Sequence, residues 1–423
     1  MRFSFVHAAD LHLDTPFKGI GRAAEFVSDA LRDASLEAFD RLVELAIERD
    51  VAFVLLAGDI YDGPERGVRA QLRFYRGLER LNDVGIYTFV VHGNHDPLLT
   101  GWSAIRDTWP DLVKVFGHDF VDQVAIEKDG EMFAIVHGIS FSQRAEMDNL
   151  ALRYRRSEMN CFQVGMLHCN VGSNVEHDPY APCTLADLEK ANLDYWALGH
   201  IHTRQILRDG HPWVVYPGNL QGRGPSPGEL GEKGAFVVEV DGRTAHTPQF
   251  VPLDVVRFGR LALDVGHLAD LPELERALQD KAGQLQASLG GRSMILKPVL
   301  TGSGPLHADL ARDGTLNGLL QDLRDEAGEE VPFLWWEPVL DQTTAAIDMQ
   351  SIRRRGDFAG ELLALADQLG TDQEARRQFV EAALADLQVG ELVANGVDVP
   401  DGLAPERLRE AATVALELLA GAE

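Results

Sequence analysis

Five short apolar runs in the first two hundred residues each end in a cluster of Asp, Asn or His. Ser4–Ala9 reads as a short strand and runs into Asp10-Leu11-His12. Val51–Ala57 is unbrokenly apolar, as suits a strand buried on both faces, and ends at Gly58-Asp59. Ile86–Val91 leads to Gly93-Asn94-His95-Asp96, Phe162–Leu167 to His168, and Tyr195–Leu198 to Gly199-His200-Ile201-His202. Between the first three runs the period changes to that of a helix. Ser28 can cap a helix to about Arg49 with Leu31, Phe39, Leu42, Val43, Ala46 and Ile47 on one stripe. Val68–Val84 is a second helix, with Leu72, Tyr75, Leu78 and Leu81 on one face. The chain therefore opens strand–helix–strand–helix–strand, and sites in open α/β sheets form outside the carboxyl ends of the strands.

The pattern then loosens. Phe133–Phe141 reads as a strand, Arg153-Tyr154-Arg155-Arg156 as a basic helix, and Leu185–Ala191 as a short helix. Trp213–Tyr216 and Ala235–Val240 read as strands joined by a Gly/Pro-rich loop, Pro217–Gly234. A change near Pro252 sets off a small α+β domain over residues 253–345, with strands at 257–266, 293–301 and 332–337 and helices at about 271–288 and 315–326. Trp335 and Trp336 alternate faces on the last of these strands, so at least one belongs to the core. Residues 346–423 read as helical, carrying Leu362, Leu363, Leu365 and Leu369, then Phe379, Ala382, Leu384 and Leu387, then Leu408, Ala412, Val414, Leu416 and Leu418. Residues 1–252 form the domain that holds all five polar clusters.

Composition narrows the function classes. The 423 residues are 45% hydrophobic and 25% charged, which makes a globular chain of two or three domains. No apolar run is long enough to span a bilayer, and the N-terminus lacks the features of a signal peptide. Three cysteines without C-x-x-C spacing fit a reducing cytoplasm. The net charge of −27 is spread over both halves, and such a field repels nucleic acid. A nuclease remains compatible where metal ions supply local positive charge or a partner lends a basic surface.

The candidate chemistry is metal chemistry. In Asp10-Leu11-His12 two ligand types stand at i and i+2, on one face of an extended chain. Gly58 lets the backbone turn sharply beside Asp59, whose two carboxylate oxygens can bridge two cations. Asn94 offers a carbonyl oxygen, and His168, His200 and His202 offer imidazoles. Taken singly, D-x-H, Gly-Asp and G-H-x-H are ordinary surface, turn or structural features. Their order, each after a strand, is what points to two ions sharing Asp59. Oxygen and nitrogen ligands without thiolate favour Mn²⁺, Fe²⁺ or Zn²⁺ over Ca²⁺ or Mg²⁺. Two such ions about 3.5–4 Å apart clamp a transferring phosphoryl group. His7, His92, His118, His137, His177, His211, His246, His267 and His307 have no comparable setting.

The ordered series resembles the calcineurin-like metallophosphoesterase superfamily over about residues 1–252. Within it, His7-Ala8-Ala9-Asp10-Leu11-His12-Leu13-Asp14, Ala57-Gly58-Asp59-Ile60-Tyr61-Asp62 and Tyr216-Pro217-Gly218-Asn219-Leu220-Gln221-Gly222-Arg223 are similar to the SbcD and YhaO type of DNA repair exonuclease. Beyond Pro252 the resemblance is one of length and position. It implies a four-layer αββα sandwich, a small capping domain and a C-terminal helical region. It implies that Asp10, His12, Asp59 and His202 hold one ion and Asp59, Asn94, His168 and His200 the other. Mn²⁺ is the first choice of ion. His95 then assists the phosphate or the leaving oxygen, with Asp96 orienting it. Some relatives carry a second catalytic histidine where this chain has Asp62. Asn219 and Arg223 become candidate substrate contacts, and Arg153, Arg155 and Arg156 either a solvated face or a DNA-backbone contact. The activity implied is a two-metal DNA exonuclease in repair, with a small-molecule phosphodiesterase or phosphatase as the alternative. The partners implied are DNA, an SbcC-like SMC-type ATPase subunit and a second copy of the chain.

Overall fold

The computed structural model describes residues 1–15, 25–63, 67–99, 103–105, 108–128, 130–172, 180–328, 330–345, 349–354, 356–386, 408 and 411–416. They form two compact units. The first comprises Met1–Leu261, Lys281–Lys297 and Leu323–Glu337; the second comprises Ala262–Asp280, Pro298–Asp322 and Pro338–Glu423.

The first unit opens with β1 (Arg2–Ala8), α1 (Glu25–Glu48), β2 (Phe53–Ala57), α2 (Val68–Asp83) and β3 (Tyr87–Val91), so the alternation read from periodicity is the one adopted. Ser28 lies inside α1 and does not cap it. There follow β4 (Val113–Val115), β5 (Asp122–Lys128), β6 (Glu131–Gly138), β7 (Phe162–His168), α3 (Leu185–Lys190), β8 (Tyr195–Gly199), β9 (Gln205–Arg208), β10 (Trp213–Tyr216), β11 (Gly234–Asp241), β12 (Thr244–Ala245) and β13 (Gln249–Pro252).

These strands make two sheets. One has the order β12-β11-β1-β2-β3-β4, with β13 also on β11, and the other β5-β6-β7-β8-β10-β9. β1, β2 and β3 pair in parallel, as do β6, β7 and β8, so the ends that carry the polar clusters lie together in each sheet. Phe5, Phe53 and Phe89 from the first sheet meet Phe133, Phe162 and Tyr195 from the second in one buried aromatic layer. This layer explains why Val51–Ala57 shows no alternation: one face packs on the other sheet, while Val54 and Leu56 pack under Phe39, Leu42 and Phe74 of the two helices. Outside the second sheet, Trp196 and Leu198 pack with Leu150, Tyr154 and Leu188. The architecture is thus the four-layer αββα sandwich.

The predicted basic helix at Arg153 is corrected. Leu150–Arg153 is a single 3-10 turn, and the chain is extended at Tyr154, whose buried hydroxyl donates to Met166 O. The three guanidiniums have internal partners. Arg153 reaches Asp148, Arg155 the carbonyls of Leu152 and Tyr154, and Arg156 the carboxylate of Asp194. Burial of Tyr154 against Trp196, with ring centroids 4.8 Å apart, explains why this stretch is not a free helical face.

After Pro252 come β14 (Val256–Asp264), α4 (Leu271–Ala287), β15 (Ser293–Thr301), β16 (Ser303–Gly304), α5 (Leu306–Leu310), α6 (Thr315–Ala327), β17 (Leu334–Trp336), β18 (Leu340–Asp341) and β19 (Thr344–Ala345). Within the first unit Met294 pairs with Leu334 and Leu296 with Trp336 in parallel. Both tryptophans of β17 are buried, Trp335 packing with Phe333, Ile295 and Val27 of α1. The second unit contains α7 (Met349–Arg353), α8 (Phe358–Thr371) and α9 (Gln373–Asp386). Leu363 of α8 packs on Ala412 and Leu416 of a short helical segment. Leu387 and Leu418 lie outside the described residues. Among the described residues no helix is long and apolar enough to cross a membrane.

Candidate metal centre

The loops after β1 and β2 run side by side at the carboxyl end of the first sheet. Asp10 N donates to Gly58 O at 3.0 Å, His12 N to Asp59 O at 3.0 Å and Leu13 N to Ile60 O at 2.9 Å. The Asp10–His12 segment is not extended, as the i, i+2 reading assumed. Asp10 (φ 51°) and His12 (φ 43°) are both left-handed, as is Asp59 (φ 50°), and His200 has φ 103°. Such positions cost about 1–3 kcal/mol each and persist where surrounding contacts over-determine them. Here the inter-loop hydrogen bonds do so, together with two bonds from His200 N to the Asp10 carboxylate at 3.0 and 3.1 Å.

This backbone collects the side chains named from sequence. Donor atoms of Asp10, His12 and His202 lie within 4.8 Å of one another, as do those of Asp10, Asp59 and His168. His12 Nε2 is 3.1 Å from His202 Nε2 and 3.8 Å from Asp59 Oδ2. On the other side, His168 Nε2 is 2.9 Å from Asn94 Oδ1 and 3.4 Å from Asp59 Oδ2, while His200 Nδ1 is 3.2 Å from the same Asn94 oxygen. All seven candidates therefore converge, with Asp59 facing both groups. Gly93 is the close neighbour that permits this. A Cβ there would stand 2.3 Å from Asp59 Oδ1 and 2.7 Å from His168 Nε2.

The donor set fits a cation. His168 Nδ1 faces Ala57 O at 3.1 Å, which assigns its N–H to that carbonyl. Nε2 then faces the Asn94 and Asp59 oxygens, two acceptors that need a cation or, without one, a proton on Nε2 between them. The buried carboxylates pull the same way. Burial opposes protonation of His168, but the charge and hydrogen bond of Asp59 and the charge of Asp10 outweigh it and hold the imidazole up at about 9. Burial pushes Asp10 up. Asp59 is held well below the usual carboxylate range because His168 outweighs its burial.

His95 stands beside this centre, its ring edge-on to His12 with centroids 4.9 Å apart. Its orienting carboxylate is Asp62, not Asp96. His95 Nδ1 lies 2.6 Å from Asp62 Oδ1, and the same oxygen is 3.5 Å from His12 Nδ1. Asp96 turns the other way, taking His92 Nδ1 at 2.8 Å and the amides of Gly93, Ile60 and Tyr61. It is a buried brace that ties the third loop to the second. His92, without a setting in the sequence, thus has one. Burial works against charging His95, but Asp62 and Asp59 raise its pKa overall.

Residues 3–204 match the calcineurin-like phosphoesterase family, and residues 258–344 match the middle domain of metallophosphoesterase YhaO. An uncharacterized metallophosphoesterase YhaO of Bacillus subtilis is 37% identical over 333 residues, which is 78% of this chain and 80% of that protein. The chain belongs to the calcineurin-like metallophosphoesterases. It is accordingly a phosphoester hydrolase of a family that uses divalent metals. A DNA double-strand break repair protein Mre11 of Thermoplasma acidophilum is 30% identical over 191 residues, 44% of this chain and 50% of that protein. The Mre11 of Saccharolobus solfataricus is 28% identical over 214 residues, 50% of this chain and 52% of that protein. The chain spans about half the length of these two relatives.

In this metallophosphoesterase the Gly/Pro-rich loop after β10 closes the side of the centre next to His202. Asn219, a candidate phosphate contact from sequence, is fully buried, and its Nδ2 donates to Glu229 Oε2 at 2.6 Å and Gln221 O at 2.7 Å. Arg223 keeps a partly exposed side chain, 3.4 Å from Asp62 Oδ1 and 3.5 Å from Glu229 Oε1. Its Nε has no hydrogen-bond partner among the described residues. Lys233 is buried and donates to the carbonyls of His202 and Gly228. Its pKa falls to about 8 because burial outweighs the pull of Glu229 and Asp10. Glu229 and Lys233 escape the sequence reading, and Asp62 enters it only as a departure from a histidine of some relatives, not as the partner of His95. Neither Glu229 nor Lys233 follows an apolar run, and the one local signal is the density of Gly and Pro around Glu229.

Proposed function

We propose that this chain is a DNA exonuclease that hydrolyses phosphodiesters with two divalent ions, Mn²⁺ first among them, in DNA repair. The observation that carries the reading is the convergence of Asp10, His12 and His202 with Asp59, Asn94, His168 and His200 around one shared carboxylate. The similarity to proteins named for double-strand break repair supports DNA as the substrate. Two bound ions would neutralise a phosphate and activate a water. Asp10, His12, Asp59 and His202 would hold one of them, and Asp59, Asn94, His168 and His200 the other. His95, steadied by Asp62, would donate to a phosphate oxygen or to the leaving oxygen. Arg223 would offer its guanidinium to the same phosphate.

On this reading residues 1–252 are the nuclease domain, 253–345 shape the approach of DNA, and 346–423 dock an SbcC-like ATPase in the cytoplasm, with a second copy of the chain as a further partner. A partner would supply the basic surface that this acidic chain lacks. One observation favours a second reading. Arg153 pairs with Asp148 and Arg156 with Asp194, so of the three only Arg155, exposed and bonded to backbone carbonyls, leaves its charge unpaired toward a nucleic-acid backbone. A small-molecule phosphodiesterase or phosphatase needs no such surface. An assay with Mn²⁺ on end-labelled duplex DNA beside bis-p-nitrophenyl phosphate separates the two. The exonuclease reading expects progressive shortening of the DNA; cleavage of the small ester alone would transfer the chain to the second reading.

A further inference from the structure

Glu229 belongs to a short 3-10 turn, Pro227–Glu229, and is buried although it lies in a loop. Three N–H groups converge on its two oxygens. His202 Nδ1 is 2.7 Å from Oε1, and Asn219 Nδ2 and Arg223 N donate to Oε2 at 2.6 and 2.9 Å. A carboxylate, which accepts and never donates when ionised, suits that demand where an amide does not.

The consequence falls on His202. With Nδ1 as the donor to Glu229, the Nε2 lone pair must point away from the loop, toward His12 Nε2 at 3.1 Å and the Asp10 group. The opposite tautomer would set two lone pairs against each other across 2.7 Å. Lys233 fixes the same residue from behind by donating to its carbonyl at 2.8 Å.

We propose that Glu229 is a positioning residue which locks His202 in the Nδ1–H tautomer and thereby builds the first ion site, so that the Gly/Pro-rich loop serves metal binding before substrate binding. This rests on the two-ion reading, but not on DNA being the substrate. A carboxylate behind a ligand histidine is worth about 10- to 100-fold in metal affinity.

The test uses the full chain without substrate. Calorimetric Mn²⁺ titration of Glu229→Gln should show one ion bound as in the unchanged protein and the other weakened about 10- to 100-fold; the metal-free melting temperature should fall as well, because the amide sets a donor against the N–H groups of Asn219 and Arg223. Nitrogen NMR of the metal-free, histidine-labelled wild type, with His202→Asn to identify the signals, should show the proton on Nδ1 of His202. That arm decides the matter even if the variant does not fold. A proton on Nε2, a folded variant with both affinities intact, or a wild type that binds no ion would overturn the proposal. A protein that binds two ions in this Glu229-dependent way yet leaves DNA uncut would overturn the exonuclease reading alone.

Discussion

His95 and Asp62, thirty-three residues apart in the chain, are joined by a 2.6 Å contact between Nδ1 and Oδ1. Asp62 acts here as an anion that steadies His95. His95→Gln should lower phosphodiester hydrolysis by about 10²–10⁴-fold, the usual worth of a positioned proton donor. Mn²⁺ binding should be retained, because His95 is not among the seven converging ligands. Steady-state kinetics beside a metal titration checks both, and retained activity would remove the role assigned to His95.

Removal of metal should abolish hydrolysis without unfolding the sandwich. The aromatic layer of Phe5, Phe53, Phe89, Phe133, Phe162 and Tyr195 holds the sheets together independently of any ion. Dialysis against EDTA should leave the far-ultraviolet circular dichroism unchanged, and Mn²⁺ should restore activity.

Gly93→Ala should be nearly as damaging as losing a ligand. Its Cβ would stand 2.3 Å from Asp59 Oδ1 and 2.7 Å from His168 Nε2, the two groups that the centre cannot move without opening. Binding of at least one Mn²⁺ should weaken by about 10-fold or more, the scale of a disturbed ligand support. Wild-type affinity by calorimetry would show that the loop yields more easily than its contacts imply.

Stability should fall as the solution is acidified below neutrality. His137 is buried beside Gln163, and burial lowers its pKa from 6.5 to about 4. Above pH 6.5 both folded and unfolded chains carry it neutral, and its contribution is fully present. Between 6.5 and about 4 the unfolded chain takes up a proton that the folded chain refuses, so stability is lost as pH falls. One such proton sets a slope of at most about 1.4 kcal/mol per pH unit. Urea unfolding at a series of pH values should show a shallower fall in His137→Leu, and an unchanged slope would contradict the assignment.

The sandwich was legible because its strands are buried on both faces and its helices on one. Val51–Ala57 and the α1 stripe could hardly have folded otherwise. The convergence of the seven candidates was legible because each stands at the end of such a strand. What stayed hidden lies in loops, where side-chain direction depends on backbone contacts from elsewhere. The resemblance pairs Asp96 with His95, yet the turn points it at His92 and at the amides of Ile60 and Tyr61. Asp10 and His12 share a site through left-handed backbone imposed by Gly58 and Asp59, not through strand alternation. Glu229 lies 27 residues from His202 in the chain, beyond β9 and β10, and no local pattern marks that pairing.

The central claim is that Asp59 is shared by two ions. Anomalous diffraction from crystals soaked in Mn²⁺ tests it most directly. Two peaks about 3.5–4 Å apart, one toward His12 and His202 and one toward His168 and His200, with Asp59 between them, are the predicted result. A single peak, or none touching Asp59, would contradict it.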